Sequence, residues 1–88
     1  MTENEKEAVR RCEYASELLT KENIPHEIKK KEIGHINLYY LDKVVMSFWA
    51  RTGKFIYLTP PESNFKRRVN EDDRGIKTCI RKYKEEFR

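Results

Sequence analysis

The spacing of the apolar residues changes twice along this chain, and these changes constrain the fold more than any other feature. Over residues 5–22, apolar or small side chains recur every three or four positions, which is the spacing of an amphipathic helix. From Ile24 the period becomes two, as in strands, and between Ile76 and Phe87 it returns to that of a helix. The sequence therefore predicts a helix, a sheet and a second helix.

The middle of the chain predicts a run of short strands joined by tight turns. Asp42-Lys43 is short enough for a hairpin turn, and Thr52-Gly53-Lys54 forms the next turn, where Gly53 can take a positive φ. Within the third strand, alternation places Val44, Met46 and Phe48 on one face and Val45, Ser47 and Trp49 on the other. The predicted strands cover residues 24–28, 36–40, 44–51 and 55–58.

This order of elements predicts a single α+β domain over residues 1–88. It has two layers: an antiparallel meander sheet of three to four strands, and two helices that lie on the same face of that sheet. Since two helices cover only one face, the other face meets solvent, a ligand or another chain.

Composition narrows the class of protein. The chain has 88 residues, 38% of them apolar, and no apolar run near the roughly 20 residues of a membrane helix. Its first residues lack the features of a secretory signal, so we expect a cytoplasmic protein without a membrane partner. Cys12 and Cys79 stand far apart without metal-ligand spacing, which predicts two buried thiols and neither a metal site nor a cofactor.

The positive charge is concentrated in one part of the chain. The net charge is +4, and residues 24–70 carry nine bases and four acids, a surplus of +5. That segment includes the cluster Lys66-Arg67-Arg68 in a predicted polar loop, before the acids Glu71-Asp72-Asp73. A basic surplus of this kind favours an anionic partner such as nucleic acid.

The strand alternation also predicts what the open sheet face carries. If Leu38, Met46 and Phe48 lie under the helices, the opposite face is aromatic and basic. Such a face resembles a platform for single-stranded nucleic acid, in which rings stack on bases and cations contact phosphates. Plain packing of Trp49 is the other interpretation, and a register slip of one residue would exchange the two faces. The predicted open face presents Asn37, Tyr39, Ser47, Trp49 and Arg51, with Lys29 and Lys31 nearby.

Two glycine positions are candidate anion contacts. Arg51 and Lys54 flank Gly53, and this turn can hold a phosphate or carboxylate through N–H groups and charge, although a nucleotide-binding P-loop needs a second glycine and a following helix. Arg74-Gly75 precedes the last helix, where the arginine can make a bidentate contact. The alternatives are that these cations are merely solvated and that Gly75 only relieves crowding at the start of the last helix. His26 and His35 are predicted to be half-buried structural residues.

Four short motifs, Gly34-His35, Phe48-Trp49, Thr52-Gly53-Lys54 and Arg74-Gly75-Ile76, resemble small uncharacterised proteins encoded by bacteriophages and prophages. The resemblance spans roughly residues 13–84, with Ala50 where a proline would be common. It implies a mobile-element product in the bacterial cytosol that acts on nucleic acid or on a host defence protein. The element order is also similar to the double-stranded-RNA-binding domain, but acids replace the basic cluster expected at the start of the last helix.

Together these features predict a small non-enzymatic binding protein that holds nucleic acid. Trp49 and Tyr39 would stack on bases, while Arg51, Lys54 and Arg74 would contact phosphates. The alternative is a protein-interaction module, such as an inhibitor of a host protein, with the same face buried in a partner or in a homodimer, since aromatics and arginine are also typical of protein interfaces. The sequence contains no recognisable acid/base or metal arrangement, so we do not expect an enzyme.

Overall fold

A computed structural model describes residues 2–58 and 75–88. Strands β1 to β4 form one antiparallel meander sheet in that order, between an N-terminal and a C-terminal helix, so the predicted α+β fold is confirmed. A short 3-10 turn, Lys31–Ile33, separates the first two strands. The elements are α1 Glu3–Lys21, β1 His26–Lys30, β2 His35–Tyr40, β3 Lys43–Trp49, β4 Lys54–Tyr57 and α2 Ile76–Phe87.

Helix α1 begins with a capping box. The Thr2 hydroxyl accepts a hydrogen bond from the Glu5 N–H, and the Glu5 carboxylate accepts one from the Thr2 N–H. These bonds satisfy N–H groups that a helix start leaves without intrahelical partners. At the other end, Asn23 takes a φ of 58° and leads into the residue before Pro25.

The core lies between the two helices and one face of the sheet, as predicted. Leu38, Met46 and Phe48 are at most 2% exposed and belong to one buried cluster with residues of both helices. Helix α2 adds a polar link, because the buried Tyr83 donates a hydrogen bond of 2.6 Å from its hydroxyl to the Tyr39 carbonyl. The helices contribute Cys12, Ala15, Leu19, Ile76, Cys79, Ile80 and Tyr83 to this cluster.

The predicted alternation fails at the start of β3. Leu38 pairs with Met46, but Tyr39 pairs with Val44, so the strand contains a bulge. Val45, predicted on the open face, is 3% exposed and belongs to the core cluster, while Val44 lies opposite Tyr39. An extra residue in one strand interrupts the period of two, and the pattern of apolar residues does not predict it.

Two turns depart from ordinary backbone geometry. The β2–β3 turn is Leu41-Asp42, one residue earlier than predicted, and both residues have positive φ, 51° and 66°. Gly34 has a φ of 69°, and a Cβ there would lie 3.0 Å from the Ala50 Cβ and backbone N. The Ala50 N–H donates to the Gly34 carbonyl at 2.8 Å, which joins the start of β2 to the end of β3.

Candidate functional site

The sheet face opposite the helices carries the predicted aromatic and polar residues. His35 pairs with Trp49 across β2 and β3, and Asn37 pairs with Ser47. The His35 and Trp49 rings are stacked, with centroids 4.8 Å apart and planes within 3° of parallel. Trp49 is half-buried and does not belong to the buried core cluster.

A hydrogen-bonded chain fixes the position of His35 beside Trp49. The Ser47 hydroxyl donates to the Asn37 side-chain oxygen at 2.7 Å, so its own oxygen accepts from the His35 Nε2–H at 3.3 Å. This assigns the neutral His35 tautomer from the bonding pattern. Partial burial lowers the pKa of His35, which favours that neutral form at pH 7. The strand alternation predicts Asn37 and Ser47 on the open face, but it does not reveal their link to His35.

Tyr39 lies at the other end of the same face, in a different environment. Its hydroxyl donates to the Glu27 carboxylate at 2.9 Å, and Lys29 lies 3.4 Å from the same carboxylate oxygen. The Tyr39 hydrogen bond, followed by the Lys29 contact, lowers the pKa of Glu27, so this carboxylate is charged at neutral pH. Four residues separate Tyr39 from His35, about 13 Å along a strand, so Tyr39 and Trp49 do not form one continuous platform.

Lys31, expected near the open face, lies instead against the helix layer. Its ammonium is 3.8 Å from the Glu13 carboxylate of α1. The 3-10 turn between β1 and β2 carries Lys31 there and interrupts the strand alternation on which the expectation rested. Lys29 and Lys54 are thus the predicted lysines that the strands bring to the open face.

The β3–β4 turn has the predicted positive φ at Gly53, 78°, and the N–H groups of Gly53 and Lys54 already have partners. The Gly53 N–H donates to the Trp49 carbonyl at 2.7 Å, and the Lys54 N–H lies 3.4 Å from the Thr52 hydroxyl. The predicted backbone contact with an anion therefore cannot use these two N–H groups without breaking an existing hydrogen bond. The exposed side chains of Arg51 and Lys54 are the groups that can contact an anion.

The structure brings the start of α2 to this turn. The Gly75 N–H donates to the Gly53 carbonyl at 2.8 Å, while Gly75 has a φ of 95° and ψ of 159°. A Cβ on Gly75 would meet no atom of residues 2–58 and 75–88 within 4 Å, so crowding by these residues is not the reason for a glycine here. The backbone conformation requires it. Arg74 lies outside the described residues, as do the cluster at residues 66–68 and the acids at residues 71–73.

The second histidine also contacts a serine, a pair that the sequence pattern did not reveal. His26 Nδ1 lies 2.9 Å from the Ile24 carbonyl, so it carries the proton, and Nε2 accepts from the Ser16 hydroxyl at 2.7 Å. This is the arrangement of a nucleophile and a base, but Ser16 lies inside α1, where backbone N–H groups are used by the helix. Ser16 therefore has no free backbone N–H donors of its own helix nearby. Such donors stabilise the oxyanion that forms in acyl transfer.

Charge is distributed unevenly over the described surface. Residues 75–88 carry five bases and two acids, a surplus of +3. Glu27 adds a negative charge to that face beside Tyr39. Among residues 2–58 and 75–88, no helix is long and apolar enough to cross a membrane.

The site described above therefore consists of the stacked Trp49 and His35, the Ser47–Asn37 pair that holds His35, and the cations of the neighbouring turn. Tyr39 lies apart from it. Comparison of the chain with family models, with curated proteins and with solved structures found no significant match.

Proposed function

We propose that this protein is a non-enzymatic binding protein that holds single-stranded nucleic acid at the Trp49 end of its open sheet face. The observation that carries the proposal is the stacked Trp49–His35 pair on the face opposite the helices. Stacking on an aromatic ring contributes about 1–3 kcal/mol per base and suits any base, since every base has a π-face.

The geometry indicates which ring face a base would use. His35 covers one face of the Trp49 ring, and the strand register places Lys54 of β4 on the other side of Trp49. A base that stacks on this second face would bring its phosphate close to Lys54 and to Arg51 in the same turn. The binding unit is small, one or two nucleotides, because Tyr39 is distant and hydrogen-bonded to Glu27.

The hydrogen-bonded chain behind Trp49 supports a site that is already formed without ligand. Ser47 is 3% exposed, and its hydroxyl is engaged with both Asn37 and His35. Because these bonds hold His35 in place, little ordering is needed when a base binds. Binding to a preformed site loses less free energy than binding that must first order its side chains.

A fluorescence anisotropy titration with labelled oligo-dT and oligo-U tests this function. Binding should weaken with salt, and Lys54→Gln should reduce the slope of log K against log salt by about 0.7, the value for one phosphate contact to a single strand. Lys43→Gln is the matched control, because Lys43 is equally an exposed strand lysine but begins β3 at the far end from Trp49. Equal slopes for the two variants would overturn the assignment of Lys54.

A protein partner is the second candidate function, and one observation favours it. The Glu27 carboxylate beside Tyr39 repels phosphate but suits hydrogen-bond donors of a protein surface. In this alternative the open face is buried against a host protein or a second copy of the chain. Homodimerisation in light scattering that is lost in Trp49→Ala, without binding of oligonucleotides, would establish this alternative.

The proposed setting is a bacterial cytosol, with the protein encoded by a phage or another mobile element. This part of the proposal rests on the resemblance of the four short motifs. It is tested by the genes that flank the coding sequence: phage structural or replication genes support it, and a purely chromosomal neighbourhood opposes it.

A further inference from the structure

A groove of about 580 Å³ runs between the two helices, on the side of the molecule opposite the open sheet face. Its floor includes Leu18 of α1 and Ile80 of α2, and lysines and an arginine stand along its walls. We call it the interhelical groove. Its volume lies in the range of protein sites that bind ligands, about 300–1,000 Å³.

The two helices run in the same direction along this groove. At one end, Lys84 of α2 forms an ion pair with Glu22, and Arg88 donates to the Asn23 carbonyl at 2.7 Å. At the other end, Arg11 and Ala15 of α1 line a small cavity together with Gly75 and Ile76. The C-terminal ends of both helices therefore lie at the same end of the groove.

The cations of the groove walls fall into two groups. Lys84 and Arg81 are neutralised, by Glu22 and by Glu85 respectively. Lys21 on α1 and Lys77 on α2 are exposed and form no ion pair within residues 2–58 and 75–88. Within the described part of the chain, two positive charges without an ion-pair partner therefore border an apolar floor.

These two lysines stand diagonally across the groove. Lys21 follows Leu18 by three residues and Lys77 precedes Ile80 by three, so each lies about 4.5 Å along its helix from the floor, in opposite directions. A ligand that satisfies both must carry an apolar group in its centre and an acid on each side. An amphipathic helix with carboxylates on both flanks of its apolar stripe has this arrangement.

We propose that the interhelical groove binds an acidic amphipathic helix of a protein partner. Apolar side chains of that helix pack on Leu18 and Ile80, and its carboxylates contact Lys21 and Lys77. This surface is separate from the Trp49 site, so the protein can hold a nucleic acid on the sheet and a protein on the helices. Lys21 and Lys77, which form no ion pair with another described residue, favour an acidic partner over a basic or neutral one by charge complementarity.

The test uses a designed, fluorescein-labelled, alanine-based helical peptide that carries leucines four residues apart and glutamates on both flanks. Anisotropy should show saturable binding, and amide shifts of the labelled protein should change at residues 18–22 and 77–84. Trp49 fluorescence should stay constant, because Trp49 lies on the other side of the sheet. Failure of this binding leaves the oligonucleotide result untouched, so the two proposals are distinguished.

Charge reversal supplies the controls. The double variant Lys21→Glu, Lys77→Glu should bind the glutamate peptide about tenfold more weakly and should bind the matching lysine peptide instead. The double variant Lys30→Glu, Lys43→Glu has the same net charge on exposed strand residues and should bind like the parent chain. Circular dichroism melts confirm that each variant is folded. No saturable binding up to about 1 mM peptide, or equal effects of the two double variants, would overturn the proposal.

Discussion

The Gly75 N–H donates a hydrogen bond of 2.8 Å to the Gly53 carbonyl, and this bond joins the β3–β4 turn to the start of α2. Both residues have positive φ, 95° at Gly75 and 78° at Gly53. Two glycines thus connect the turn beside Trp49 to the helix layer. The position of the Trp49 site therefore depends on backbone conformations that other residues rarely adopt.

Gly75→Ala should lower the free energy of unfolding by about 1–3 kcal/mol, because φ and ψ at this position lie in a region that is essentially restricted to glycine. Steric clash with residues 2–58 and 75–88 adds nothing, since a Cβ would meet none of their atoms within 4 Å. Urea denaturation, followed by circular dichroism, measures the change. An unaltered midpoint would contradict the requirement for glycine at position 75.

Ala50→Pro should also destabilise the fold. Proline has no N–H, so the Gly34 carbonyl would lose the hydrogen bond that Ala50 now donates at 2.8 Å. Gly34 is buried, and a buried carbonyl without a partner costs about 1–3 kcal/mol. Ala50→Ser retains the N–H and serves as the control in the same denaturation experiment. Equal stability of the proline and serine variants would contradict the role of this hydrogen bond.

The stability of the fold should fall as the pH is lowered through the titration of His35. Burial lowers the pKa of His35 in the folded state below its ordinary value of 6.5. Between the lowered value and 6.5 the unfolded chain binds more protons, so stability is full above pH 6.5 and declines below it. The difference in unfolding free energy between pH 7.5 and pH 5 should be smaller in His35→Gln. An identical difference in both proteins would exclude His35 as the cause.

Both thiols should resist modification in the folded protein. Cys12 and Cys79 are fully buried, and burial raises the pKa of each thiol, which keeps the reactive thiolate scarce. Ellman's reagent should release almost no colour from native protein and two equivalents in guanidinium chloride. Rapid reaction of one thiol in native protein would mean that its helix opens readily.

Much of the fold could be predicted because the apolar residues follow regular periods. The positions Ala8, Cys12, Ala15 and Leu19 are buried along α1, and Leu38, Met46 and Phe48 are buried in the sheet. The bulge at Val44 and Val45 could not be predicted, since a single extra residue leaves the composition of the strand unchanged.

Only part of the candidate site could be predicted, since the sequence indicates a structural role for His35 and does not reveal how the residues are arranged. Alternation placed Trp49, Ser47 and Asn37 on one face, but the stack with His35 depends on the register between β2 and β3. Likewise, sequence spacing could not reveal that the Glu27 carboxylate binds the Tyr39 hydroxyl, because the two residues meet across neighbouring strands. Contacts between strands can be identified only when the strand register is known.

The fluorescence of Trp49, the only tryptophan of the chain, tests the central claim most directly. Short single-stranded DNA and RNA are titrated at low and high salt, with iodide quenching measured before and after saturation. Nucleic acid should quench Trp49 at low salt, the quenching should be lost at high salt, and bound oligonucleotide should shield the ring from iodide. A tryptophan signal that does not change with nucleic acid at low salt would rule out base stacking on Trp49.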